Sequence, residues 1–168
     1  MNLQGKIIHL VPMSMEFVTE TYRSWLSDCD VTKYLCSLNV TLEELKDYVS
    51  QRINKVEICF WAILDNGTNA HIGNVKLEPI VRHELRATFG ILIGNKDFWG
   101  RGIATEVTEL VVDFAFNHLK LKSLDLGVER ANVAAIRAYK KVGFHIEELE
   151  GHQKATPTSV FMIKRSLS

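Results

Sequence analysis

Hydrophobic positions along the chain repeat first with the period of a strand, then of helices, then of strands again. Residues 6–11 alternate and read as a first strand. Over residues 15–26 the apolar Phe17, Val18, Tyr22, Trp25 and Leu26 recur three and four apart, the stripe of an amphipathic helix. Residues 27–39 are polar and unpatterned, a loop with a turn of helix. Thr41-x-x-Glu44 forms a capping box. It opens a second helix through Leu45, Tyr48, Val49 and Ile53. Residues 58–64 are apolar on both faces, as a central strand requires. Asp65-Asn66-Gly67 signals a hairpin turn, and residues 71–77 pair back. Residues 85–93 alternate, with Leu85, Ala87, Phe89, Ile91 and Ile93 on one face.

The second half returns to helical spacing. Ile103, Val107, Leu110, Val111, Phe114 and Ala115 share one helix face. Leu124, Leu126 and Val128 make a strand, and Ala135, Ile136, Tyr139 and Val142 a further helical stripe that Gly143 stops. Residues 144–149 and 159–165 read as closing strands. No repeat, linker or low-complexity segment interrupts the series. The pattern predicts a single domain, residues 1–168, with a mixed α/β sheet and helices on its faces.

Composition narrows the function classes. The chain has 168 residues, enough for one core, with 46% apolar and 24% charged residues. Lys plus Arg and Asp plus Glu each number 20. A broad nucleic-acid surface would leave a basic excess, so no nucleic-acid partner is expected. No run reaches the ~18 apolar residues of a membrane helix, so no membrane association is expected either. Cys29 and Cys36 are too far apart for a redox pair, Cys59 stands alone, and no His-rich cluster accompanies them. No metal is expected. The odd cysteine count and the lack of an export signal point to the cytoplasm.

The most informative stretch is Gly94-Asn95-Lys96-Asp97-Phe98-Trp99-Gly100-Arg101-Gly102-Ile103-Ala104-Thr105. It joins a strand to the start of a long helix, where free N–H groups and the positive dipole end lie. Gly100, Gly102 and Ala104 would let a diphosphate approach that backbone, and Arg101 adds a cation. The same features also suit a plain glycine-rich turn. A Walker loop is absent, as is GxGxxG, because Gly100-x-Gly102 is followed by Thr105.

Residues 98–106 resemble the acetyl-CoA signature of the GNAT acetyltransferase superfamily. In that signature an Arg or Gln is followed, after two residues, by Gly, one residue, and Gly or Ala. Gly102 and Ala104 match, while Trp99 stands in place of the Arg or Gln. Asn132-x-x-Ala135-x-x-x-Tyr139-x-x-x-Gly143-Phe144 resembles the family's second motif, in the right order and spacing. The resemblance spans residues 72–150. It extends to Trp25-Leu26-Ser27-Asp28 with Val31, Tyr34 and Leu35, which are similar to the branch of ribosomal-protein N-terminal and amino-sugar N-acetyltransferases.

That resemblance implies a mostly antiparallel sheet of six to seven strands, with a splayed parallel pair in the middle and helices on both faces. It implies acetyl-CoA as co-substrate, held by Leu92, Ile93, Trp99, Gly100, Arg101, Gly102, Ile103, Ala104, Thr105, Asn132, Ala135 and Tyr139. Tyr139 would be the general acid for the departing thiolate, and a backbone N–H near Leu92 and Ile93 the oxyanion donor. Asn132 also suits a helix N-cap.

The base is less defined. A lysine-like amine with a pKa near ~10.4 is only about one part in a thousand neutral at pH 7, so something must take its proton. Thr88 and Gly127 stand where relatives often carry a Glu, which leaves Glu84, Glu78, His83 and Glu129 as candidates. Trp25, Asp28, Asp30 and Tyr34 are candidates for acceptor binding. The expected acceptor is a small-molecule amine, such as an amino sugar or sugar nucleotide. Protein N-termini, polyamines and non-catalytic acyl-CoA binding are the alternatives. A monomer or homodimer is expected.

Overall fold

The computed structural model describes residues 1–34, 40–147 and 158–167. Leu35 and Cys36, and the end of the strand predicted over 144–149, lie outside the described residues. The strands are β1 (Leu3–Gln4), β2 (Ile8–Pro12), β3 (Cys59–Asp65), β4 (His71–Val81), β5 (Arg86–Ile93), β6 (Ser123–Glu129), β7 (His145–Ile146) and β8 (Ser159–Arg165). The helices are α1 (Glu20–Ser27), α2 (Leu42–Ser50), α3 (Ile103–Asp113) and α4 (Val133–Lys141). One sheet runs in the order β1-β2-β3-β4-β5-β6-β8-β7. It has one strand more than the larger expectation, because the edge strand β1 is two residues long and too short to leave a period in the sequence, while β7 is the described part of the strand predicted over 144–149.

Helix starts follow side-chain chemistry. Thr41 and Glu44 form the predicted capping box at α2. The first predicted helix begins later than its stripe, because Thr19 Oγ1 accepts from the Tyr22 N–H and fixes the N-cap there. Met15–Phe17 is a separate 3-10 turn. The stripe after α3 ends in a wider π turn, Phe114–His118.

The sheet separates two cores. On one face Ala87, Phe89, Leu124, Leu126 and Val128 pack with Val107, Val111 and Tyr139 of α3 and α4. On the other, Phe60, Ala62 and Leu64 meet Tyr22, Trp25 and Leu26 of α1 and Leu45 and Val49 of α2. Each of the larger aliphatic and Phe side chains contributes about 1.5–3 kcal/mol by burial.

All neighbouring strands pair antiparallel except β5 and β6. This parallel pair is in register only at Arg86↔Ser123, Ala87↔Leu124 and Thr88↔Asp125. Beyond Thr88 the strands part, so the β5 edge over residues 89–93 has no strand partner on that side among the described residues. The predicted splay is therefore present, and its fork lies at Thr88 and Asp125.

Candidate active site

The split between β5 and β6 opens a cleft of about 990 Å³. Its walls are Phe89, Gly90, Ile91, Leu92 and Ile93 on β5, Gly127, Val128 and Glu129 on β6, and the starts of α3 and α4. Both helices point N-terminal backbone toward the same split. That is where unpaired N–H groups and positive dipole ends favour an anion.

The loop before α3 is shaped by two glycines in the left-handed region, Gly100 at φ +74° and Gly102 at φ +78°. A Cβ at either would meet nothing within 4 Å, so the space above them is open. Gly102 is the N-cap of α3 and has no side chain to cap it, which leaves the first N–H groups at Ile103, Ala104 and Thr105 to a ligand. Trp99, beside them, donates its indole N–H to the Ile93 carbonyl at 2.9 Å. It ties the loop to the end of β5. Arg101 does not line the cleft; its guanidinium lies 4.9 Å from the centre of the Phe98 ring.

At α4, Asn132 Oδ1 accepts from the Ala135 N–H at 3.2 Å, which makes it the N-cap. Asn132 and Ala135 also line the cleft. Tyr139 follows two turns on. Its ring packs edge-on to Phe89 and tilted against Phe144, each at a centroid distance of 6.0 Å. Burial pushes its phenol from the ordinary 10.0 up to about 12. The group therefore holds its proton throughout the neutral range.

This shift sets an alkaline limit on stability. The folded state binds the Tyr139 proton more tightly than the unfolded chain, so its contribution is intact below pH 10 and is lost as pH rises toward 12. Tyr22, raised by burial as well, acts in the same direction. The Tyr139 share amounts to about 3 kcal/mol. Urea midpoints measured at pH 9 and 11 are expected to fall for the parent, and to fall less for Tyr139→Phe. An equal fall in both would contradict this assignment.

The four base candidates separate by position. Glu84 pairs with Arg86 and His83, and His83 is exposed. Glu78 is held by Lys76 and Arg52. These contacts hold both Glu78 and Glu84 below the usual carboxylate range, against the opposing effect of burial. None of the three lines the cleft. Glu129 does, and it has no ion-pair partner among the described residues. Asp125 was not anticipated from the sequence. It is 5% exposed, accepts from Thr88 Oγ1 at 2.7 Å, and lies 3.6 Å from the Arg86 guanidinium. It braces the fork.

The acceptor candidates divide too. Trp25 is buried against Tyr22 and His71, outside the cleft. Asp28 and Asp30 are both taken by Lys96, at 2.8 and 3.0 Å. Tyr34 donates its hydroxyl to the Ala131 carbonyl at 3.2 Å. Lys96 follows β5 and Ala131 follows β6, so residues 28–34 form a strap fastened to both banks of the split. Lys96 had no local signal, because its partner Asp30 is 66 positions away.

Comparison with known proteins agrees with this geometry. The model of the acetyltransferase (GNAT) domain matches residues 8–145. The chain belongs to the GNAT acetyltransferase family. It is 30% identical over 152 residues to "Probable N-acetyltransferase YjcK" of Bacillus subtilis (strain 168), covering 86% of this chain and 84% of that protein. It is 34% identical over 104 residues to the spermidine N(1)-acetyltransferase of Escherichia coli (strain K12), covering 62% of this chain and 54% of that one. The fold matches the crystal structure of spermidine N-acetyltransferase from Vibrio cholerae in complex with CoA and spermine, with TM-score 0.82, 19% identity and 96% of each chain covered.

Among the described residues, no group of three or more His, Cys, Asp and Glu is placed to hold a metal ion. No helix among them is long and apolar enough to cross a membrane.

Proposed function

We propose that this N-acetyltransferase moves an acetyl group from acetyl-CoA to the primary amine of a small molecule, with an amino sugar, free or as a sugar nucleotide, as the acceptor. The observation that carries the reading is the split between β5 and β6, bordered by two helix N-termini on one face and a buried, protonated Tyr139. Acetyl-CoA supplies the activated acetyl group. Ile103, Ala104 and Thr105 offer N–H donors to its diphosphate, and the open glycine backbone fits such a group closely. The unpartnered β5 edge near Leu92 and Ile93 offers N–H donors to the oxygen on which charge builds. Tyr139 gives the thiolate a hydrogen bond and its proton as the bond to sulfur breaks.

Glu129 is the base in this reading. It alternates with the buried Val128, so its carboxylate belongs to the sheet face opposite α3 and α4. Glu129→Gln is expected to lower kcat about a hundredfold while the KM for acetyl-CoA stays near the parent's. A kcat close to the parent's would move the base elsewhere.

The strap supports a small acceptor over a protein N-terminus, because it crosses the split where a peptide would need an open groove. A polyamine is the second reading, favoured by the names of the spermidine N-acetyltransferases above. A non-catalytic acyl-CoA-binding role would leave the protonated Tyr139 without work. Thiol release from acetyl-CoA, followed with amino sugars, polyamines and short peptides, tests the reading. Release with an amino sugar supports it. Release with peptides alone, or with none, contradicts it.

A further inference from the structure

Two glycines flank the split on the face that α3 and α4 do not cover. Gly90 stands directly across from Lys76 in the β4–β5 ladder, and its Cβ position would lie 3.8 Å from the Lys76 side chain. Gly127 alternates with Leu126 and Val128, which belong to the α3/α4 core, so it opens to the opposite face. A Cβ there would meet nothing within 4 Å. With the two helix N-termini on the first face, the gap between Gly90 and Gly127 is the approach left to an acceptor on the second.

The charge beside this gap is positive. Lys76 Nζ lies 2.5 Å from Glu78 and donates to Tyr48 Oη at 2.7 Å. Arg52 Nε lies 3.1 Å from the same carboxylate, and its guanidinium stacks 3.7 Å from the Tyr48 ring centre. Two cations thus share one carboxylate, a net charge of +1. The cluster is partly desolvated, with Lys76, Arg52 and Glu78 side chains 20–30% exposed, so its charge is less screened than a surface pair's. Of the acids beside the split among the described residues, Asp28 and Asp30 pair with Lys96 and Asp125 with Thr88 and Arg86, which leaves Glu129 as the cleft carboxylate without an ion-pair partner.

We infer that the Tyr48–Arg52–Lys76–Glu78 cluster selects an acceptor whose amine sits on a molecule bearing an anionic group, a phosphate or a carboxylate, and disfavours polyamines. This deepens the proposed small-molecule reading and rests on it. Lys76 is the specificity-determining residue. Its cation meets the anionic group while the amine passes the glycine gap toward Glu129.

The test is kcat/KM for thiol release with glucosamine, glucosamine 6-phosphate, 2-amino-2-deoxyglucuronate and spermidine, together with calorimetric binding of each to the enzyme–CoA complex. At least one anionic sugar is expected to exceed glucosamine about tenfold in both readouts, and spermidine is expected to rank last. Which of the two wins tells phosphate from carboxylate. Lys76→Met, which keeps the stem over Gly90, is expected to abolish the anionic advantage. Lys76→Glu is expected to raise spermidine above the anionic sugars, and Arg52→Gln, on a different element, to shift selectivity in the same direction as Lys76→Met.

Spermidine ranking first in the parent would overturn the inference. So would an anionic advantage that survives Lys76→Met, or the failure of both anionic sugars to bind and react. Thiol release with any amine that collapses in Tyr139→Phe would still uphold acetyl transfer, so the two readings fail separately.

Discussion

Tyr139→Phe is expected to lower kcat for thiol release by about a hundredfold or more, while the KM for acetyl-CoA stays near the parent's. The substitution removes one oxygen and leaves the ring packed between Phe89 and Phe144. In the proposed reaction that oxygen serves the step in which the thiolate departs, so the loss is expected there rather than in KM. The phenol's pKa of about 12 makes this specific. Tyr139 stays protonated across the working range, so it contributes no basic limb to the pH–rate profile below about pH 11. Steady-state kinetics of the two proteins check both points. A kcat close to the parent's, or a loss confined to KM, would remove Tyr139 from the chemistry.

Gly102→Trp is expected to abolish tight acetyl-CoA binding. At φ +78° a side chain is strained by about 1–2 kcal/mol, and an indole would occupy the open space in front of Ile103, Ala104 and Thr105. Each N–H to phosphate contact is worth about 1.5–3 kcal/mol. Losing two weakens binding by more than about a hundredfold. Gly102→Ala separates the causes, because it carries the strain with little bulk and is expected to lose far less. Calorimetry with acetyl-CoA, beside thermal melting of each variant, provides the measurement. Parental affinity in the Trp variant would show that the diphosphate binds elsewhere.

What could be read from the sequence follows a physical division. The α3 stripe, the capping box at Thr41 and the turn glycines Gly100 and Gly102 depend on neighbours within a few residues, so their signals are local. The Trp99 substitution in the phosphate signature is explained by its bond to the Ile93 carbonyl, a contact no spacing rule encodes. Trp25, Asp28 and Asp30 looked available for an acceptor because the sequence hides what they meet. Trp25 fills the core beside His71, and Lys96 pairs with both aspartates, of which Asp30 lines the cleft. Asp125 went unnoticed in an apolar strand pattern, since only the parallel register with β5 brings Thr88 to it. Of the four base candidates, Glu129 is the one that lines the cleft, and the others' positions depend on pairings that the sequence does not show. The edge strand β1 was invisible for want of length, whereas β7 falls within the closing strand read over residues 144–149.

The most direct test of the central claim is the mass of the product. The purified protein is incubated with acetyl-CoA and an amino sugar carrying an anionic group, and the amine is analysed by mass spectrometry. A gain of a single acetyl group on the amine nitrogen, matched by an equal amount of free thiol and absent with Tyr139→Phe, is the predicted result. Thiol release without any acetylated amine, or acetyl-CoA left intact with every amine offered, would contradict the account.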